Sequence, residues 1–172
     1  MTVVVDAPSD RQRAPFLNGF RQTEEHAADL KATIAWARAT AKVPVWLVGT
    51  SRGTQSAAYA ATVLQGADAP DGVVLTATIL SDDKQRPVPA MPLEQIKVPV
   101  LVVHHQQDGC SYCAYSEIPN LMAKLTHTPR SHLITATGGK NQGDACAAFA
   151  YHGFNGLEAD VVGQMADWIL AP

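Results

Sequence analysis

The stretch Val43-Pro44-Val45-Trp46-Leu47-Val48-Gly49-Thr50-Ser51-Arg52-Gly53, continued by Thr54-Gln55-Ser56-Ala57-Ala58-Tyr59-Ala60-Ala61-Thr62-Val63-Leu64, decides how this chain is read. An apolar run of strand length meets a G-x-S-x-G pentapeptide, and a helix-like run rich in small residues follows. That order describes a strand turning sharply into a helix. Small residues flank the turn so that the two segments can pass closely, and the serine hydroxyl is lifted above the end of the sheet.

Working outward, short Val/Ile/Leu-rich runs recur at Val3–Asp6, Val45–Val48, Gly72–Leu80, Val98–His104 and His132–Thr137. Such runs are the mark of strands buried on both faces of a parallel sheet. Helical spacing fills the gaps. From about Thr23 to Ala41, Ala27, Leu30, Ile34, Ala37 and Ala41 form one stripe, with Glu24, Glu25, Asp29 and Lys31 off it. Leu157–Leu170 repeats the pattern with Leu157, Val161, Val162, Met165, Ile169 and Leu170. The alternation predicts an α/β fold: a doubly wound, mostly parallel sheet of about five strands flanked by helices. The stretch Asp82–Gln95, Pro-rich over Arg86–Pro92, reads as an ordered connection too short for a cap domain.

The chain has 172 residues, 47% of them hydrophobic and 17% charged, with a formal net charge of −3, which suits one domain, 1–172, with one core. No Lys/Arg-rich stretch offers an electrostatic footprint for nucleic acid. No apolar run approaches the ~20 residues that span a bilayer, and Met1–Val5 is too short for a signal peptide. Neither a nucleic-acid nor a membrane partner is expected.

A serine at such a turn becomes reactive only if a base takes its proton and a third group orients that base. Asp108 lies in His104-His105-Gln106-Gln107-Asp108-Gly109, where a strand's C-terminal end passes into a turn. Functional groups gather at such ends in doubly wound folds. His152 lies in Ala150-Tyr151-His152-Gly153-Phe154-Asn155-Gly156, a glycine-flanked loop ahead of the last helix. Ser51, Asp108 and His152 are therefore the candidate triad. Asp82 and Asp83, at the end of the preceding strand, are the competing acids. His104 and His105 should pack or hydrogen-bond locally. His26, His127 and His132 read as solvated or capping residues, and Asp144 as a turn residue.

Together, Gly49-Thr50-Ser51-Arg52-Gly53, the strand-end Asp108 and the loop His152-Gly153 resemble the α/β-hydrolase superfamily over nearly the whole chain. In that family the pentapeptide is the nucleophile elbow, and acid and histidine follow it in this order. More narrowly, His104-His105-x-x-Asp108-Gly109-Cys110 and Cys146 ahead of Tyr151-His152-Gly153-Phe154 are similar to uncharacterised exported bacterial α/β-hydrolases. The resemblance implies a carboxylesterase-like serine hydrolase acting on a small acyl substrate, with the Arg52 N–H as an oxyanion donor. It also exposes a departure. The family places two strands ahead of the elbow strand and takes a second oxyanion donor from the loop after the first, whereas only Val3–Asp6 is available here and no His-Gly or Gly-Gly segment precedes Ser51. This implies an N-terminally shortened core, or a compact hydrolase in which the Ala7–Arg13 loop takes over. A catalytically silent binding protein on the same fold is the alternative function.

Cys110, Cys113 and Cys146 form an odd set, which in an oxidising compartment means one disulfide and one thiol. If the acid and histidine loops meet, a bridge to Cys146 staples them. The similarity to exported hydrolases favours Cys110–Cys146 over Cys113–Cys146, and with it a periplasmic or secreted protein. Three reduced cysteines in a cytoplasm is the alternative. Cys110-Ser111-Tyr112-Cys113 also spells C-x-x-C beside two histidines, but no second ligand pair has zinc spacing, so neither metal nor cofactor is expected.

Overall fold

Four parallel strands in the order β1-β2-β3-β4 build the sheet: β1 Trp46–Thr50, β2 Gly72–Thr76, β3 Val100–His105 and β4 Ser131–Ala136. The structure is a computed structural model and describes residues 1–171. Helices are α1 Glu24–Ala41, α2 Arg52–Val63, α3 Ile118–Ala123 and α4 Glu158–Leu170.

Successive strand residues point to opposite faces, which sorts the core into two layers. Val73, Leu75, Val100 and Val102 face one way and meet Ala57, Ala58 and Ala61 of α2, Ile118 and Leu121 of α3, and Val88, Met91, Leu93 and Ile96 of the 82–95 connection. Val74, Leu101, Val103, Ile134 and Ala136 face the other way, against Phe154 and Val161, Met165, Trp168 and Ile169 of α4. Right-handed crossovers between strands taken in sequence order place every connecting segment on one face, so the face left over is covered by the last helix.

Thr23 starts α1 by accepting the His26 N–H on its hydroxyl, at 3.2 Å. The helix buries Ala27, Leu30, Ile34 and Ala37, the stripe expected from the sequence. On α4 the expected stripe is narrower: Val161 is buried, but Val162 and Leu170 point to solvent, and Trp168 takes the place beside Trp46. Val3–Asp6 is not a strand, so the sheet has four strands rather than about five. Its three valines lie exposed, and its backbone makes no hydrogen bond to β1 among the described residues. Branched apolar residues favour strands by fitting a paired, pleated surface, and this segment has no ladder partner.

Beside β1 runs a groove of about 810 Å³ whose lining includes Val3–Val5, Leu30, Ile34, Val48, Gly53 and His26. His26 is buried rather than solvated, edge-on to Phe20 at 5.3 Å, and neither ring nitrogen has a partner among the described residues. Burial, and then the charge of Arg21, lower its pKa against a smaller pull from Asp29. A histidine held neutral in the fold binds fewer protons there than in the unfolded chain, so stability falls as pH drops below about 6.5 and until the folded-state pKa is passed. Thermal melts between neutral and mildly acidic pH should show this loss, and His26→Phe should flatten it. An unchanged acid slope in the variant would exonerate His26.

Candidate active site

Ser51 follows β1 directly and caps α2, with φ 51° and ψ −122°. A non-glycine residue at positive φ is strained, and it persists only where its surroundings dictate it. The surroundings are visible. Ser51 N–H donates to Thr76 O at 3.0 Å, while Ser51 O accepts from Thr54 N–H at 2.9 Å and from the Thr54 hydroxyl at 2.6 Å. Of the two glycines in the pentapeptide, only Gly49 is required sterically: a Cβ there would strike the backbone of Gly53 and Thr54, while one at Gly53 would meet nothing within 4 Å. Gly49→Ala should therefore cost several degrees in melting temperature and distort the turn. Gly53→Ala, in the first turn of a helix, should be neutral or mildly stabilising. Equal melting shifts for the two variants would contradict this reading of the turn.

At the same end of the sheet, two strands away, β3 ends in His104 and His105 and the chain turns to present Asp108. The Asp108 carboxylate is fully shielded from solvent and both its oxygens are engaged. Oδ1 accepts from Cys110 N–H at 2.9 Å, and Oδ2 accepts from His152 Nδ1 at 2.9 Å. That contact fixes the His152 tautomer, with the proton on Nδ1 and a lone pair on Nε2. His152 is itself buried, and its Nε2 has no hydrogen-bond partner among the described residues.

The flanking histidines hold this pair in place. His104 Nε2–H donates to Cys113 O at 2.7 Å and lies 3.6 Å from Asp108 Oδ2, while Nδ1 accepts from Thr78 N–H at 3.4 Å. Burial lowers the His104 pKa against the opposing pull of the Cys113 carbonyl and Asp108, so it stays a neutral donor beside the carboxylate. His105 bonds Gly138 O at 3.0 Å through Nε2 and stacks on Tyr151 with ring centroids 4.3 Å apart, tying the loop before His152 to the end of β3. Gly153 completes the loop, since a Cβ there would collide with the Ala148 backbone.

No protein-family model matches the sequence, and no curated protein does. Solved structures do match. A cold-adapted esterase from an Arctic intertidal metagenomic library aligns over 74% of this chain at 18% identity and TM-score 0.52, both in a polyethylene-glycol-bound form, of which the chain covers 53%, and in a zinc-bound form, of which it covers 56%. A protein of unknown function from Agrobacterium tumefaciens, provisionally described as an α/β hydrolase, aligns over 85% of this chain at 14% identity and TM-score 0.50, and the chain covers 62% of it. The fold is α/β-hydrolase-like. The chain spans a little over half the length of these neighbours.

On this α/β-hydrolase-like core the candidate residues divide. Asp108 and His152 are in contact, whereas Ser51, partly exposed on the far side of β2, makes no side-chain hydrogen bond to His152 among the described residues. The competing acid Asp82 is committed elsewhere. Its carboxylate accepts from the Arg52 guanidinium and from the N–H groups of Lys84 and Gln85. Desolvation raises its pKa, but these bonds outweigh it and hold the carboxyl below the usual carboxylate range. The Arg52 guanidinium also lies 4.8 Å over the Tyr112 ring. Among the described residues the hydrogen bonds of the Ala7–Arg13 loop stay local, such as Arg11 N–H to Pro8 O, and none reaches Ser51.

The disulfide joins Cys110 to Cys146, and Cys113 is a buried free thiol donating to Ala77 O at 3.4 Å. Burial, chiefly, and the nearby Asp108 charge push the Cys113 thiol up to about 12, so it is inert as a nucleophile. Bridging residues 36 apart stabilises the fold by about 4 kcal/mol on the chain-entropy argument. The fold brings a ring nitrogen of His152 within 4.8 Å of Cys110 Sγ and Cys113 Sγ, while Cys146 is bonded to Cys110. The C-x₅-H spacing of Cys146 and His152 was the available signal for this proximity. Asp82 as the Arg52 partner carried no such signal, because a charge pair across two loops has no fixed spacing.

Proposed function

We propose that the chain, acting as one hydrolase domain, is a serine hydrolase of carboxylesterase type. The observation that carries this reading is the buried Asp108–His152 pair beyond the end of β3, on the same sheet edge where a strained turn raises Ser51 beyond β1. Ser51 Oγ attacks the ester carbonyl while His152 Nε2 takes its proton. The proton then goes to the departing alcohol, and water repeats the sequence on the acyl-enzyme. Asp108 keeps the imidazole in the Nδ1–H tautomer and stabilises the imidazolium that forms.

The oxyanion is received at the N-terminus of α2, where the first N–H groups of a helix have no internal partner and the helix dipole favours negative charge. Arg52 supplies the first of them, and its side chain is held aside by Asp82 and Tyr112. With a single donor the rate falls about 10²–10³ below that of a complete oxyanion site. Val88, Met91 and Leu93 of the 82–95 connection pack into the core under the sheet, leaving only its first residues beside Arg52, so small or exposed acyl groups suit the site. These steps draw on side chains, backbone N–H groups and water. The disulfide suits an oxidising compartment, periplasmic or extracellular. Among the described residues no helix is long and apolar enough to cross a membrane.

The second reading, a silent binding protein, rests on the missing Ser51–His152 hydrogen bond. Stopped-flow hydrolysis of short-chain p-nitrophenyl esters separates the two. The hydrolase reading expects turnover above buffer, with release of at most one equivalent of nitrophenol in any initial burst. A flat trace at buffer rate for every acyl length leaves the binding reading.

A further inference from the structure

The cysteines around His152 form a second constellation that ester hydrolysis does not use. Cys110 Sγ, Cys113 Sγ and a ring nitrogen of His152 all lie within 4.8 Å of one another, and Cys146 Sγ is bonded to Cys110 Sγ. The ligands come as C-x₂-C and C-x₅-H from two loops. His152 Nδ1 is occupied by Asp108, while its buried Nε2 is unpartnered and carries the free lone pair. A histidine whose second nitrogen donates to a carboxylate is the usual arrangement of a zinc-binding imidazole.

We propose that reduction of the Cys110–Cys146 disulfide opens a site for a zinc-class divalent cation formed by Cys110, Cys113, Cys146 and His152. A metal held there withdraws His152 from Ser51. The reductant is a thiol: two molecules are oxidised to their disulfide, and the protein disulfide takes up the two electrons and two protons to give two thiols. The cation then binds three thiolates and Nε2, releasing one proton from each cysteine, while His152 keeps its Nδ1 proton on Asp108. Entry is open from one side, because Cys146 is exposed whereas Cys110 and Cys113 are buried. The fit is close. Tetrahedral zinc with sulfur at about 2.3 Å and nitrogen at about 2.0 Å needs Cys110 Sγ, Cys113 Sγ and the imidazole nitrogen to move on the order of half an ångström from a 4.8 Å cluster, while Cys146 Sγ swings away from Cys110 Sγ once their bond is broken. In the oxidised chain two of the three sulfurs are joined, and the site is closed.

The metal-binding claim stands apart from the hydrolase reading, and only its inhibitory consequence rests on it. The test uses the full chain, reduced with a dithiol, desalted under anaerobic conditions and titrated with Co²⁺. One equivalent should bind, with the thiolate-to-cobalt charge-transfer and visible bands of a tetrahedral S₃N site that Zn²⁺ then bleaches. The oxidised chain should show none. Cys113→Ala and His152→Ala should each weaken binding at least about tenfold, Asp108→Asn by about 10- to 100-fold, and His127→Ala not at all. If reduction alone unfolds the chain, one equivalent of Co²⁺ should restore the native near-ultraviolet circular dichroism, because binding at a folded site is folding free energy. A reduced chain without the thiolate bands, one whose metal uptake ignores Cys113→Ala and His152→Ala, or one that takes up metal without regaining its fold overturns the proposal. Zn²⁺ should also stop ester turnover of the reduced chain, and a chelator restore it. An active esterase that binds no Co²⁺ loses only the metal site, and a Co²⁺-binding chain unreactive at Ser51 loses only the hydrolase reading.

Discussion

Ser51→Ala should bring ester turnover down to the buffer rate, a fall of at least about 10³-fold, while leaving the chain folded. Removing the nucleophile of a fully equipped serine hydrolase costs on the order of 10⁶ in kcat. A site with one oxyanion donor has already forgone about 10²–10³ of that, which leaves 10³ or more to lose. The loss in stability should be small, because the Ser51 hydroxyl makes no hydrogen bond among the described residues and the turn is held by the Ser51 backbone. Ser51→Gly sharpens the test. Glycine accepts the positive φ without strain, so this variant should be as inactive as Ser51→Ala and melt higher. A stabilised, inactive glycine variant shows strain held for function. Paired esterase assays and thermal melts on both variants decide it, and turnover surviving either substitution removes Ser51 from the mechanism.

The second large effect is expected at the acid. Asp108→Asn replaces an acceptor by a group that can present its amide to Nδ1, which favours the imidazole with its proton on Nε2, unable to take one from serine. In complete triads this costs about 10⁴ in kcat, and here the nearer floor set by the single oxyanion donor reduces it to at least about 10²-fold. The cost should fall on kcat rather than KM, since Asp108 is shielded from solvent behind His152. Asp83→Asn should be silent. Asp82→Asn should lower the melting temperature, because it strips the Arg52 guanidinium of its carboxylate, yet leave turnover near the parent rate. Single-turnover kinetics across the three variants make the comparison, and the opposite ranking would move the acid to the end of β2.

What the sequence revealed and what it hid divide along a physical line. Features fixed by local spacing were legible. The α1 stripe from Ala27 to Ala37 emerged as the buried face, and the four central apolar runs became parallel strands within two residues at their starts. The second of them ends at Thr76 rather than Leu80, because beyond Thr76 the backbone leaves the ladder, with Ala77 at positive φ, although its side chains stay buried. The meeting of Asp108 with His152 was legible from chain order, since each lies in a loop that follows a later strand than the one ahead of Ser51. Features set by tertiary surroundings were not legible. Val3–Asp6 has the composition of a strand and, among the described residues, no partner to pair with. His26 reads as a cap residue, yet it stands four residues before Leu30, on the buried stripe. Arg52 and Asp82 find each other across two loops, and Cys113 reveals its burial only once the 110–113 turn folds over the end of β2.

Covalent capture measures most directly whether Ser51 is an activated nucleophile. The oxidised chain is treated with a fluorophosphonate, its intact mass is recorded, and the adduct is mapped by peptide sequencing in the parent, Ser51→Ala and His152→Ala. A single adduct is expected on Ser51, absent from Ser51→Ala and formed far more slowly in His152→Ala. A chain that stays unmodified, or one whose label sits on another residue or forms at the same rate without His152, would contradict it.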